Sequence, residues 1–215
     1  VLVIGLGGGT AVKQFLAAYP EVIVDAVEID DEVAKIARRW FYLPPDSNRF
    51  HLFVEDGRRY LESHQTNYDL IIIDAYHNDA IPFHMVTRQF FELAHAHLNS
   101  GGLIALNLIS ALDGPNSGIA ASVYQTTAAA GFPEHYTFPV QFRQMRSRVV
   151  QRNICFIVGD GFPMTEQDLR TAASRSPVPR YARNVVDLDT HPPDLRYAKF
   201  LSDDYAPVDD LLMPK

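Results

Sequence analysis

The chain is short of cysteine, of positive charge and of long apolar runs, and each shortage excludes something. Cys155 is the one cysteine in 215 residues. An internal disulfide is therefore impossible, and a reducing compartment, the cytoplasm, is the expectation. Its setting inside the apolar run 154–158 reads as that of a small buried hydrophobe. Lysine and arginine total 19 against 26 aspartates and glutamates, for a formal charge of -7. That balance attracts neither nucleic acid nor an anionic membrane surface. Arg143, Arg146, Arg148 and Arg152 form a local basic run without the interleaved aromatics of a stacking platform. It reads as a solvated loop, with an anion or partner contact as the alternative. No apolar run approaches the roughly 20 residues that span a bilayer.

What remains suffices for one globular unit. Hydrophobic residues make up 47% of the chain, enough to bury a core in an α/β domain of this length. Apolar runs at 1–4, 22–27, 51–54, 68–73 and 103–108 alternate with helical patterns at 10–19, 31–41, 57–61 and 87–98. Pro20 closes the first of those helices, and Asp30 reads as the N-cap of the second. A turn is expected at 99–102. A helix over 120–130, led in by Pro115 and stopped by Gly131, precedes two more strands at 135–140 and 154–158.

This alternation predicts a Rossmann-like, doubly wound, mostly parallel sheet of seven strands, with an antiparallel hairpin at one edge. Residues 1–160 form the cofactor-binding domain in this reading. Residues 161–215, with a helix at 165–174 and several prolines after it, wrap over that domain as a tail or close on it as a lid. The chain opens at Val1, inside what should be the central strand, so further chain is expected ahead of it.

The candidate chemistry is concentrated where apolar runs end. The first run leads into Gly5-Leu6-Gly7-Gly8-Gly9-Thr10, and the second ends in Glu28-Ile29-Asp30. Gly5, Gly7 and Gly9 let the backbone approach a ligand, and an acid roughly 20 residues beyond such a turn suits ribose hydroxyls. Thr10 stands where a dinucleotide site needs a small residue. An adenosine-containing cofactor without a pyrophosphate fits better, S-adenosylmethionine or a relative. A plain glycine-rich turn is the alternative.

In open sheets of this kind, ligands lie beyond the carboxyl ends of the strands. Asp56-Gly57 follows the third run and Asp74 the fourth. Asp56 suits the exocyclic amine of a base, with Gly57 giving a free backbone approach, or it caps the next helix. Asp74 can take a proton from an amine beside a sulfonium, or it merely caps the loop. Tyr76 either stacks on a substrate or packs under that loop. His77 and His84 are either solvated or recognise an acceptor. His95 and His97 do not share a helix face, and no metal site is expected.

Residues 1–9, residues 27–30, Glu55-Asp56-Gly57 and Ile72-Ile73-Asp74-Ala75-Tyr76, in that order, resemble the spermidine/spermine synthase family. The resemblance covers about residues 1–158. It implies an aminopropyltransferase on the S-adenosylmethionine-dependent methyltransferase fold. Decarboxylated S-adenosylmethionine would be the co-substrate and a polyamine amine the acceptor. By the same resemblance Glu28 holds the ribose, Asp56 the adenine, and Asp74 activates the attacking amine, with Tyr76, His77 and Asp79 toward the acceptor.

The family carries an aspartate in the glycine loop, where Gly8 stands, and a second one after the catalytic acid, where His77 stands. Asp79, Asp203 and Asp204 are the acids that could stand in for them. The family's small N-terminal β domain, which helps form the acceptor site and the oligomer, has no counterpart in this stretch; a homodimer is the expected assembly. Methyl transfer on the same fold and a non-catalytic nucleoside-binding role are the alternatives.

Overall fold

The computed structural model describes residues 1–76, 81–140, 147–161, 165–175 and 184–212. Its parallel strands are β1 (Leu2–Ile4), β2 (Val24–Glu28), β3 (Phe50–Val54), β4 (Tyr68–Ile73) and β5 (Leu98–Ser110). Between them run α1 (Thr10–Ala18), α2 (Asp31–Trp40), α3 (Gly57–Ser63) and α4 (Arg88–Ala96). After α5 (Gly118–Ala129) come β6 (Glu134–Pro139), β7 (Arg152–Gly159), α6 (Glu166–Ser174), β8 (Val186–Asp187) and α7 (Val208–Leu212). The sheet order is β3-β2-β1-β4-β5-β7-β6-β8.

The doubly wound sheet with its antiparallel hairpin is thus present, β7 pairing antiparallel with both β5 and β6. One strand more than expected extends it. Val186 and Asp187 pair with Thr137 and Tyr136 of β6. This strand comes from the stretch read as a tail, and it covers backbone groups that an edge strand would leave open.

Alternation along β2 builds the two faces. Val24 and Ala26 pack with Val12 of α1 and with Ala34 and Ala37 of α2. Val27 joins the larger core on the other face, with Tyr60 of α3 and Phe90 and Phe91 of α4. Asp25 shares the face of Val27 and is only 7% exposed. It tolerates burial because it is fully met: Tyr68 Oη donates to it at 2.8 Å and His51 Nδ1 lies at 2.7 Å. Tyr60 Oη stands 2.7 Å behind, on Tyr68 Oη.

Three local expectations change. Residues 99–102 are not a separate turn but lie within β5. Pairing runs from Tyr68↔Leu98 to Leu70↔Leu103, so the extra residues bulge out of the ladder. Cys155 is not a core residue. Alternation buries Ile154 and Phe156 and turns Cys155 to the opposite, open face. Desolvation and then the charge of Asp74 push its thiol up to about 11. The described part of the basic run is not a free solvated loop either. Arg143 and Arg146 lie outside the described residues, but Arg148 pairs with Asp113 at 2.8 and 3.1 Å and Arg152 is buried. No helix among the described residues is long and apolar enough to cross a membrane.

Candidate active site

Because β1 to β4 are parallel, the residues leaving their carboxyl ends reach one rim. They enclose a cavity of about 570 Å³. Gly5, Gly7, Glu28, Asp56, Gly57, Asp74 and Tyr76 all line it. Gly9 does not; it precedes α1 in a left-handed conformation (φ +68), against Leu43. His77 and Asp79 lie outside the described residues.

Gly5 is what lets β1 and β4 meet at the rim. Its φ is +96, and a Cβ there would overlap the backbone carbonyl of Asp74. The Asp74 N–H in turn donates to the Ile4 carbonyl at 2.9 Å.

Glu28 is 8% exposed and is held by backbone on both oxygens. Leu6 N–H donates to Oε2 at 3.0 Å and Asp30 N–H to Oε1 at 3.1 Å. Each oxygen keeps a lone pair for a further donor. Asp56 caps α3, its Oδ1 accepting from the Arg58 and Arg59 N–H groups at 3.0 Å each. Its Oδ2 lies 3.0 Å from His84 Nε2. Burial pushes this carboxyl up, but the Arg59 N–H, the His84 ring and the Arg58 N–H outweigh it and hold it below the ordinary range.

Asp74 is oriented from the neighbouring strand. Asn107 Nδ2 donates to Asp74 Oδ1 at 2.9 Å, and Asn153 Nδ2 donates to Asn107 Oδ1 at 3.1 Å. Tyr76 Oη donates to the Asn107 carbonyl at 2.7 Å. Burial, then the Asp74 charge, push the Tyr76 phenol up to about 12. Tyr76 and Asp74 both line the cavity at this end.

No sequence pattern marks Asn107 or assigns His84 to Asp56. The one available signal for Asn107 is its place near the carboxyl end of a strand beside that of Asp74. His84 carries no such signal, since its partner is 28 positions away. Asp203 is already committed elsewhere: Arg58 contacts it at 2.8 and 2.6 Å and Thr87 Oγ1 at 2.7 Å. Arg58 foremost, then Thr87, hold its carboxyl down at about 2. That ion pair fastens residues 201–205 to the rim.

A profile of the spermine/spermidine synthase domain matches residues 1–111, more than half of the chain. The chain belongs to that family. It is 35% identical over 116 residues to a probable polyamine aminopropyl transferase of Bifidobacterium longum, covering 54% of this chain and 25% of the relative. It is 39% identical over 114 residues to the polyamine aminopropyltransferase of Vibrio vulnificus, covering 51% and 38%. The chain thus spans less than half the length of these curated relatives.

Among solved structures, a probable spermidine synthase from Corynebacterium glutamicum aligns with a TM-score of 0.65 at 24% identity, over 83% of this chain and 64% of that one. Human methyltransferase-like protein 13, in complex with SAH, aligns with a TM-score of 0.61 at 24% identity, over 98% and 87%. At that identity the likeness shows the fold, which spermidine synthases and methyltransferases share. Gly8 stands where the resemblance leads one to expect an aspartate. A Cβ on Gly8 would stand 3.0 Å from the Phe41 ring, so an aromatic roofs the place where the acid would project.

Proposed function

We propose that the cavity is the active site of an aminopropyltransferase. It moves the aminopropyl group of decarboxylated S-adenosylmethionine to a polyamine amine and releases methylthioadenosine. The observation that carries this reading is the convergence of Glu28, Asp56 and Asp74 on one cavity. Each is already oriented by donors of the fold. The family match over residues 1–111 contains all three.

The residues present fit a nucleoside co-substrate. A cavity of about 570 Å³ falls within the roughly 300–1,000 Å³ of small-molecule sites. The spare lone pairs of Glu28 accept the ribose hydroxyls. Asp56 Oδ2 accepts the adenine amino group, and apolar Ile29, Val33, Pro82 and Met85 line the same cavity.

The reaction is a displacement at carbon. The acceptor nitrogen forms a C–N bond with the aminopropyl carbon next to sulfur. The C–S bond breaks, and its electron pair neutralises the sulfonium to the thioether of methylthioadenosine. The proton leaving the nitrogen goes to Asp74. A sulfonium departs readily, so the protein's part is to free the amine lone pair and orient it. Asn107 occupies Asp74 Oδ1 and leaves Oδ2 for the ammonium.

A mass-spectrometric product assay tests this, with both forms of the co-substrate and a panel of diamines and polyamines. Amine-dependent methylthioadenosine is expected, and Asp74→Asn should abolish it while still binding methylthioadenosine. S-adenosylhomocysteine in its place would turn the reading into methyl transfer. Binding without either product would turn it into a nucleoside-binding role.

A further inference from the structure

We propose that His84 is a positioning residue of the nucleoside end, holding Asp56 so that one lone pair of Oδ2 selects a 6-aminopurine over a 6-oxopurine. The inference rests on the reading that an adenine nucleoside binds beside Asp56.

Asp56 has a task before any ligand arrives. Its Oδ1 is consumed by the Arg58 and Arg59 N–H groups at the start of α3. Only Oδ2 is left for a base. One tethered oxygen does not stop the carboxylate from turning, because χ2 of aspartate is a broad, soft torsion. His84 supplies the second tether, Nε2 lying 3.0 Å from Oδ2.

The carboxylate is ionised and can only accept, so Nε2 must carry the proton. His84 thus uses one lone pair of Oδ2 and fixes the direction of the other. Asp56 and His84 both line the cavity, so that remaining lone pair belongs to the ligand. A fixed acceptor there rewards an amino group and repels a carbonyl oxygen.

His84 itself is well anchored. It is the middle residue of a single 3₁₀ turn, Phe83–Met85. Met85 N–H donates to the Pro82 carbonyl at 2.9 Å, closing that turn. Arg58 Nη1 reaches the His84 carbonyl at 3.3 Å while pairing with Asp203. The turn, α3 and residues 201–205 are therefore tied together through Arg58 at the His84 backbone. Its side chain is about one-third exposed, at 32%, so replacing it empties no core.

The test is calorimetric binding of two probes to the whole chain, methylthioadenosine and methylthioinosine, which differ only at C6 and N1 of the base. The wild type should prefer methylthioadenosine. H84A should weaken methylthioadenosine about tenfold, the scale of one hydrogen bond to a charged group, and leave methylthioinosine almost unchanged. H84Q, whose amide nitrogen reaches the place of Nε2, should restore most of the preference. H84L fills the ring's space without a donor and carries the same expectation as H84A where H84A fails to fold.

Equal weakening of both probes would make His84 merely structural and overturn the proposal, as would an unchanged preference in H84A and H84L. A wild type that binds neither probe would instead overturn the nucleoside-site reading beneath it.

Discussion

Asp74, just past the end of β4, stands beside Asn107 of the adjacent parallel strand β5, and the Asn107 amide holds Asp74 Oδ1 at 2.9 Å. Ile73 and Leu106, the residues just before them, are in register, so the contact follows from strand pairing rather than from a flexible reach. If Asp74 is the base of the proposed transfer, positioning it from a rigid strand leaves it little orientation to lose when the amine arrives. Asn107→Leu should therefore lower kcat about tenfold or more, as expected for a misoriented general base, and leave methylthioadenosine affinity unchanged. Steady-state kinetics beside calorimetry checks it; an unchanged kcat would remove Asn107 from the mechanism.

Gly5 and Gly7 make a matched pair for testing the loop. Both have positive φ, but a Cβ on Gly5 meets the Asp74 backbone whereas one on Gly7 meets nothing within 4 Å. Gly7→Ala should cost about 1–2 kcal/mol, the penalty of a left-handed alanine. Gly5→Ala should cost more, about 3 kcal/mol or above, because strain and a backbone collision add. Urea unfolding of the two variants gives the comparison, and equal losses would contradict the close approach.

The Arg58–Asp203 pair predicts acid sensitivity of the C-terminal strap. The Asp203 carboxyl falls from 3.8 in its unpaired state to about 2, chiefly through Arg58. A depressed carboxylate stabilises the fold above its unfolded value and loses that contribution as pH falls through the folded one. The gap in melting temperature between wild type and Asp203→Asn should thus be full near neutral pH and shrink between about pH 4 and pH 2. Thermal melts across that range check it. A gap that stays constant would show that the carboxylate's charge contributes nothing.

Away from the cleft, the Tyr60–Tyr68–Asp25 chain should behave as a coupled unit. Tyr68→Phe strips a hydroxyl donor from buried Asp25 and should cost about 1–3 kcal/mol. Tyr60→Phe removes only the outer bond and should cost about 1 kcal/mol. The double variant should cost less than the sum, since the outer bond has no partner once Tyr68 is gone. Denaturant titrations of the three variants decide it; strict additivity would mean the chain is not cooperative.

Asp74 was legible because Leu70–Ile73 is an unbroken apolar run that ends abruptly in an acid, and Glu28 because its run ends the same way. Asp56 announced itself as a cap before a helical stretch, and it does cap α3. Asn107 did not, because it is a lone polar residue in the apolar run 103–108, and its partner lies 33 positions away. The eighth strand was beyond periodicity for another reason, since its two residues show no repeat. Cys155 misled because an apolar run does not say which of its members faces the core; the pairing Asn107↔Cys155 puts it on the open side.

The division has a physical basis. Helix starts, strand ends, the glycine turn and the acids at its rim depend on neighbours within a few positions, and those preferences are written in the chain's own order. Which oxygen of Asp56 stays open, what steadies Asp74, and what occupies the edge of the sheet depend on side chains far apart in that order. Parallel pairing of the first five strands brings their ends to one rim, and only that closure set His84 against Asp56 and Asn107 against Asp74.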